Sequence, residues 1–116
     1  MSNELYDLSI LSEMVYDDKD FMKELVGTFI EFAPIDAAEL KEFADSQNWD
    51  ETAKKAHKLK SSIRTIGVTS LTDLILEIEE DAKNERNLES ILLKIATFLD
   101  ILVRVLESLK KEPFLQ

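Results

Sequence analysis

The sequence contains no cysteine, which excludes a disulfide framework and any thiolate metal site. Glycine and proline number only two each. Turn-rich β-architectures need far more of both, and their scarcity among abundant Leu, Ile, Glu and Lys points to an all-helical fold. A membrane span is also missing. The most apolar tract, ILLKIATFLDILVRVL, is broken by Lys94, Asp100 and Arg104. No stretch has the charged start, apolar middle and small-residue cleavage site of a signal peptide. Positive charge is short as well. Fourteen Lys and Arg stand against 24 Asp and Glu, a formal charge of −10, so nucleic acid and anionic membrane are excluded as partners of the bulk surface. The 116 residues suit one domain, expected as a cytoplasmic monomer.

What is present is helical periodicity. Leu88, Ile91, Leu92, Ile95, Phe98, Leu99, Leu102, Val105, Leu106 and Leu109 recur at three and four residues, predicting a helix over 88–111 with Asn87 as N-cap and Pro113 just past its end. Leu71, Leu74, Ile75, Ile78 and Ala82 predict a helix over 69–84, capped by Thr69 or Ser70. Trp49, Ala53, Ala56, Leu59, Ile63 and Ile66 predict one over 49–66, with an Asn48/Glu51 capping box at its start and Gly67 at its end. Phe21, Leu25, Phe29, Phe32, Ala37, Leu40 and Phe43 predict a helix over 18–46, kinked near Pro34. A short helix over 8–14 precedes these. Four long amphipathic helices with short turns make an antiparallel four-helix bundle with a short extra N-terminal helix.

The only histidine, His57, lies within AHKLKSSIRTIG. On a helical wheel Lys60, Ser61 and Arg64 fall on its side, and the core stripe centres roughly 120° away. His57 is therefore expected at the boundary or exposed. Five of the 14 basic residues lie between Lys54 and Arg64, and no Asp or Glu occurs from Thr52 to Thr72. Such a positive island suits an anion, phosphate above all. Imidazole, with an unperturbed pKa of about 6.5, is a nucleophile when neutral. Attack on a phosphoryl group needs exposure, a free ring nitrogen and nearby cations. The competing reading is an ordinary surface histidine beside solvated lysines.

The stretch AHKLKSSIRTIGVTSLTDLILEIE resembles the signature of histidine-containing phosphotransfer domains, in which Ala-His-x-Leu-Lys-Gly-Ser is followed by a glycine ten residues after the histidine. Ala56, His57, Leu59, Lys60, Ser62 and Gly67 match. The resemblance implies that His57 accepts a phosphoryl group from an aspartyl phosphate on a response-regulator receiver domain and passes it to another. It further implies that Lys60 steadies the phosphate, and that the residue twenty-two places after the histidine, Glu79, hydrogen-bonds its second ring nitrogen. Counting outward from Gly67 along antiparallel rods sets His57 and Glu79 at nearly equal heights, at about 15 to 18 Å. The competing role for Glu79 is a solvated ion pair with Lys83. Ser61 departs from the family glycine, adding bulk or a donor beside the imidazole. Lys58 and Arg64 are assigned to electrostatic docking.

No cofactor is expected in the chain itself; Mg²⁺ would come with the receiver, and there is no Gly-rich loop for ATP. This makes the chain a phosphotransfer intermediate and not an ATP-dependent kinase. Partners implied are receiver domains and a hybrid histidine kinase. The initial Met suggests a stand-alone relay protein, although a domain of a hybrid kinase would read the same. A different class of function is an adaptor bundle that binds receivers without transferring phosphate. A metal-binding bundle fails because the residue three before His57 is Lys54, where a Glu-x-x-His pair needs a carboxylate. The expected docking surface is the His57 face with an apolar rim including Leu8, Leu11 and Met14.

Overall fold

A computed structural model describes residues 3–116. The chain forms α1 (Ser9–Met14), α2 (Lys19–Asp45), α3 (Trp49–Ile66), α4 (Thr69–Lys83) and α5 (Leu88–Lys110), followed by a short 3-10 turn at Pro113–Leu115. No strand occurs among the described residues. The four long helices are joined by turns too short to do anything but reverse direction, giving an all-α antiparallel bundle of 41 × 22 × 21 Å. Within it α3 packs against both α2 and α4.

Each turn has a local cause. The Asp18 carboxylate accepts the Phe21 N–H at the start of α2. Asn48 Oδ1 accepts the Glu51 N–H at 3.3 Å, the forward half of the expected capping box. Gly67 ends α3 in the left-handed region, φ 88°, and both Gly67 N–H and Val68 N–H return to the Ile63 carbonyl. The Gly67 carbonyl then accepts the Asp7 N–H at 2.8 Å, and Ser70 Oγ donates to the Leu5 carbonyl at 2.7 Å. These bonds tie the N-terminal segment to the α3–α4 turn. A Cβ at Gly67 would lie 2.1 Å from the Asp7 carbonyl oxygen. Gly67→Ala should therefore destabilise the protein by about 2 kcal/mol, combining left-handed strain with the loss of that close approach. An unchanged urea midpoint would contradict this.

Two expected caps are placed otherwise. The residue at the α4 N-cap position is Val68, because Ser70 is drawn to Leu5 and Thr69 is already helical. Asn87 does precede α5, but its side chain does not cap it; Nδ2 donates to Asp81 Oδ1 at 3.1 Å. Pro34 does not divide α2, which continues through it to Asp45.

The α2 stripe also differs. Its buried apolar residues are Met22, Val26, Phe29, Ala33, Ala37, Leu40 and Ala44, whereas Phe21 and Phe32 are about half exposed, at 47 % and 48 %. Leu25 and Phe43 are half-buried at the margin. Phe29, Ala37 and Leu40 are core as expected, but Met22, Val26 and Ala33 face inward one residue beside Phe21, Leu25 and Phe32, because α2 must meet both α3 and α5. Leu92 of α5, placed in the core stripe by periodicity, is likewise exposed, while Leu88 and Leu99 are half-buried. Leu8 and Leu11 are fully buried and serve the core; of the three proposed rim residues only Met14 is exposed. No helix among the described residues is long and apolar enough to cross a membrane.

Between α4 and α5 the chain turns tightly, with Glu85 and Asn87 both at positive φ. Asp81, at the end of α4 and almost fully buried, holds this turn. Its carboxylate accepts from Lys94 Nζ at 2.6 Å, from Asn87 Nδ2 and from Arg86 Nε, and its backbone carbonyl accepts the Arg86 N–H.

Candidate functional site

His57 sits at the middle of α3 with its side chain 68 % exposed. The reason is geometric: Ala56, Leu59 and Ile63 take the core side of the helix, and His57 falls on the opposite arc. Its Nδ1 lies 2.8 Å from Oε2 of Glu79 on α4. Glu79 is buried, and its other oxygen, Oε1, accepts from Lys60 Nζ at 2.6 Å. One carboxylate thus serves both residues, one oxygen each. Burial alone would raise the Glu79 pKa, but the hydrogen bonds and charges of Lys60 and His57 outweigh it and hold the carboxyl below its usual range. An ionised carboxylate accepts only, so the hydrogen of the neutral imidazole resides on Nδ1 and the lone pair on Nε2. Nε2 has no hydrogen-bond partner among the described residues. The solvated Glu79–Lys83 pair does not form; Glu79 points into the α3–α4 interface.

The positive island does not survive folding as a field of unpaired cations. Lys54 pairs with Asp50 and Glu51 on its own helix, Lys55 with Asp36 and Glu39, Lys58 with Asp36, and Lys60 with Glu79. The acid-free window is a property of the sequence and not of the fold: Asp50 and Glu51 just before it take Lys54, and carboxylates arrive from α2 and α4 on either side. Among the described residues Arg64 makes no ion pair; it is exposed one turn beyond Lys60. Ser61 is exposed one turn after His57, on the α2 side.

Between α2 and α3 lies a cleft of about 460 Å³ that Lys58 and Ser61 line but His57 does not. Leu25, Phe32 and Asp36 line one wall; Lys58, Ser61 and Thr65 line the other. Phe21 and Ile35, 47 % and 53 % exposed, extend the apolar surface along α2. The sequence reading puts Phe21, Leu25 and Phe32 in the core stripe and does not single out Ile35 or Asp36. A signal was there: α2 carries more apolar positions than one core face needs, and the surplus, Phe21, Leu25, Phe32 and Ile35, itself repeats at helical spacing.

The chemistry available is that of an exposed imidazole whose tautomer is fixed from below and whose second nitrogen faces solvent. A family model described as the Hpt domain matches residues 24–110. No curated protein and no solved structure matches the chain.

Proposed function

The chain belongs to the Hpt domain family, whose members carry phosphoryl groups in two-component signalling, and on that premise we propose that His57 is the phosphoacceptor of a relay between receiver-domain aspartates. The observation that carries this reading is the solvent-facing Nε2 of His57, with Nδ1 held by buried Glu79. In the forward step the Nε2 lone pair attacks the phosphorus of an aspartyl phosphate. The bond from phosphorus to the carboxyl oxygen breaks, and the aspartate leaves as a carboxylate. The ring becomes a phosphorylated imidazolium whose positive charge faces the Glu79 carboxylate across the Nδ1–H hydrogen bond. Transfer to a second aspartate is the reverse. The receiver supplies its own Mg²⁺ and docks over the α2–α3 cleft and the exposed apolar residues beside it, Phe21, Phe32, Ile35 and Met14, with Arg64 contributing attraction. The test is incubation with a phosphorylated receiver domain. Label that moves to this chain, is acid-labile and survives base supports the carrier; stable association without label supports an adaptor.

The orienting carboxylate and the tethered lysine can each be tested alone. Glu79→Ala removes the acceptor at Nδ1, so nitrogen-15 NMR of His57 should show the tautomer with a free Nε2 losing population. A tautomer ratio equal to that of the wild type would mean Glu79 does not orient the ring. Lys60 has a side chain only 17 % exposed and tethered to Glu79, one turn from the imidazole. Lys60→Ala should slow single-turnover transfer at least severalfold, because a cation near the developing phosphoryl charge is lost. Equal rates would remove Lys60 from the reaction.

A further inference from the structure

Glu79 is not the only buried carboxylate beside the histidine. On the opposite flank Asp36 of α2 has a side chain 10 % exposed. Its Oδ1 accepts from Lys58 Nζ at 3.1 Å and from Lys55 Nζ at 3.3 Å. Lys55 is itself largely buried, with a side chain 17 % exposed, and also reaches Glu39 at 3.1 Å. Lys58 differs. Its side chain is 61 % exposed, it follows His57 directly, and it lies on the cleft side of α3.

Packing gives no reason for this carboxylate. Asp36 occupies a wall position between the apolar residues of α2, where an alanine or leucine would bury surface without a desolvation cost. Lys55 would be paired without it, through Glu39. The one thing Asp36 alone supplies is an anchor for the Lys58 ammonium. A free surface lysine spreads its charge over many rotamers, whereas a lysine held at its tip presents a cation at one place. That place is where Lys58 of α3 meets Asp36 of α2 across the cleft, one residue from His57 in sequence.

We propose that Asp36 is a positioning residue of the phosphotransfer face: it pins Lys58 on the α2 side of His57, as Glu79 holds Lys60 on the α4 side, and so sets how firmly an incoming anionic aspartyl phosphate partner is held. The inference rests on the carrier reading above. The two cations divide the labour. Lys60 lies beside the ring on the side of its orienting carboxylate and acts in the chemical step; Lys58 lies at the cleft and acts on association.

Single-turnover transfer from a phosphorylated receiver domain, titrated across receiver concentration, separates the two. In Asp36→Asn and in Lys58→Ala the half-saturating receiver concentration should rise roughly fivefold, the scale of one charge contact at an interface rim, with the maximal rate changed less than twofold. The double variant should be no worse than either single one, because both remove the same contact. Added salt should weaken binding to the wild type more steeply than to Lys58→Ala, which lacks the screened cation. Singles whose effects multiply in the double variant, or an unchanged half-saturation in Lys58→Ala, overturn the assignment. Lys58 is exposed, so an unchanged half-saturation in its variant still overturns the assignment even if Asp36→Asn unfolds. No label on the wild type from any receiver defeats the carrier reading itself, whereas label with an unaltered half-saturation in both variants defeats only the role of Asp36.

Discussion

His57→Gln should abolish phosphorylation completely, with no residual acid-labile label. The chain has no second histidine to take over and no cysteine to trap the group on a thiol. Glutamine is close in volume, a good helix former and placed at a position where the native side chain is 68 % exposed, so the fold should be unaffected within about 0.5 kcal/mol. Its amide can still donate to Glu79, which keeps the buried carboxylate satisfied. What it lacks is a basic nitrogen lone pair. Helicity and melting temperature equal to the wild type, together with no transferred label, are the expected pair of results. Undiminished labelling would place the phosphoryl group elsewhere and sink the carrier reading.

The second large effect is on stability. Asp81→Ala should cost about 3 kcal/mol, lowering the melting temperature on the order of 10 to 20 °C. The loss has two parts. Lys94, 24 % exposed, keeps its charge with no partner, and the α4–α5 turn loses the anchor that Asn87 and Arg86 share. Asp81→Ala combined with Lys94→Met should be milder than Asp81→Ala alone, since no unpaired charge is left behind. Acid supplies an independent check. Burial would raise the Asp81 pKa, but the bonds from Lys94, Asn87 and Arg86 and the Lys94 charge outweigh it and hold the carboxyl below its ordinary 3.8. A carboxyl depressed by folding contributes stability above its unfolded pKa and loses it as pH falls through the folded one. The gap between wild type and Asp81→Ala should therefore be constant at neutral pH and close below about pH 4. A gap that does not narrow as pH falls below about 4 would mean that the charge is not what holds the turn.

Some of this molecule is legible in the sequence because the pattern along one helix is enough. The three-and-four spacing from Leu88 to Leu109 marks α5, and Gly67 marks a left-handed end that few other residues tolerate. His57 is readable for the same reason, since one wheel separates it from Ala56, Leu59 and Ile63. Where two helices decide together, the pattern along one of them is silent. Phe21 and Phe32 look like core because they are aromatic and periodic, yet Met22 and Ala33, one residue along, face inward. Small Ala33 and Ala37 let neighbours approach closely, a preference set by α3 and α5 and not by α2. The lysines of α3 read as a positive island for the same reason: Asp36 and Glu39 are far away in sequence and adjacent in space. Asn87 shows the effect at a single residue. Its type is right for a cap, but a buried carboxylate six positions earlier takes its side chain first.

The N-terminal segment has one more tether. The Tyr6 hydroxyl donates to Glu112 at 2.7 Å and lies 3.1 Å from Ser108, so the two ends of the chain meet at the same end of the bundle as Gly67. Clasped there, the end of the bundle cannot fray one stretch of the chain at a time: the segment before α1 is fastened both to the α3–α4 turn and to the end of α5, so opening any one of the three costs bonds of the others.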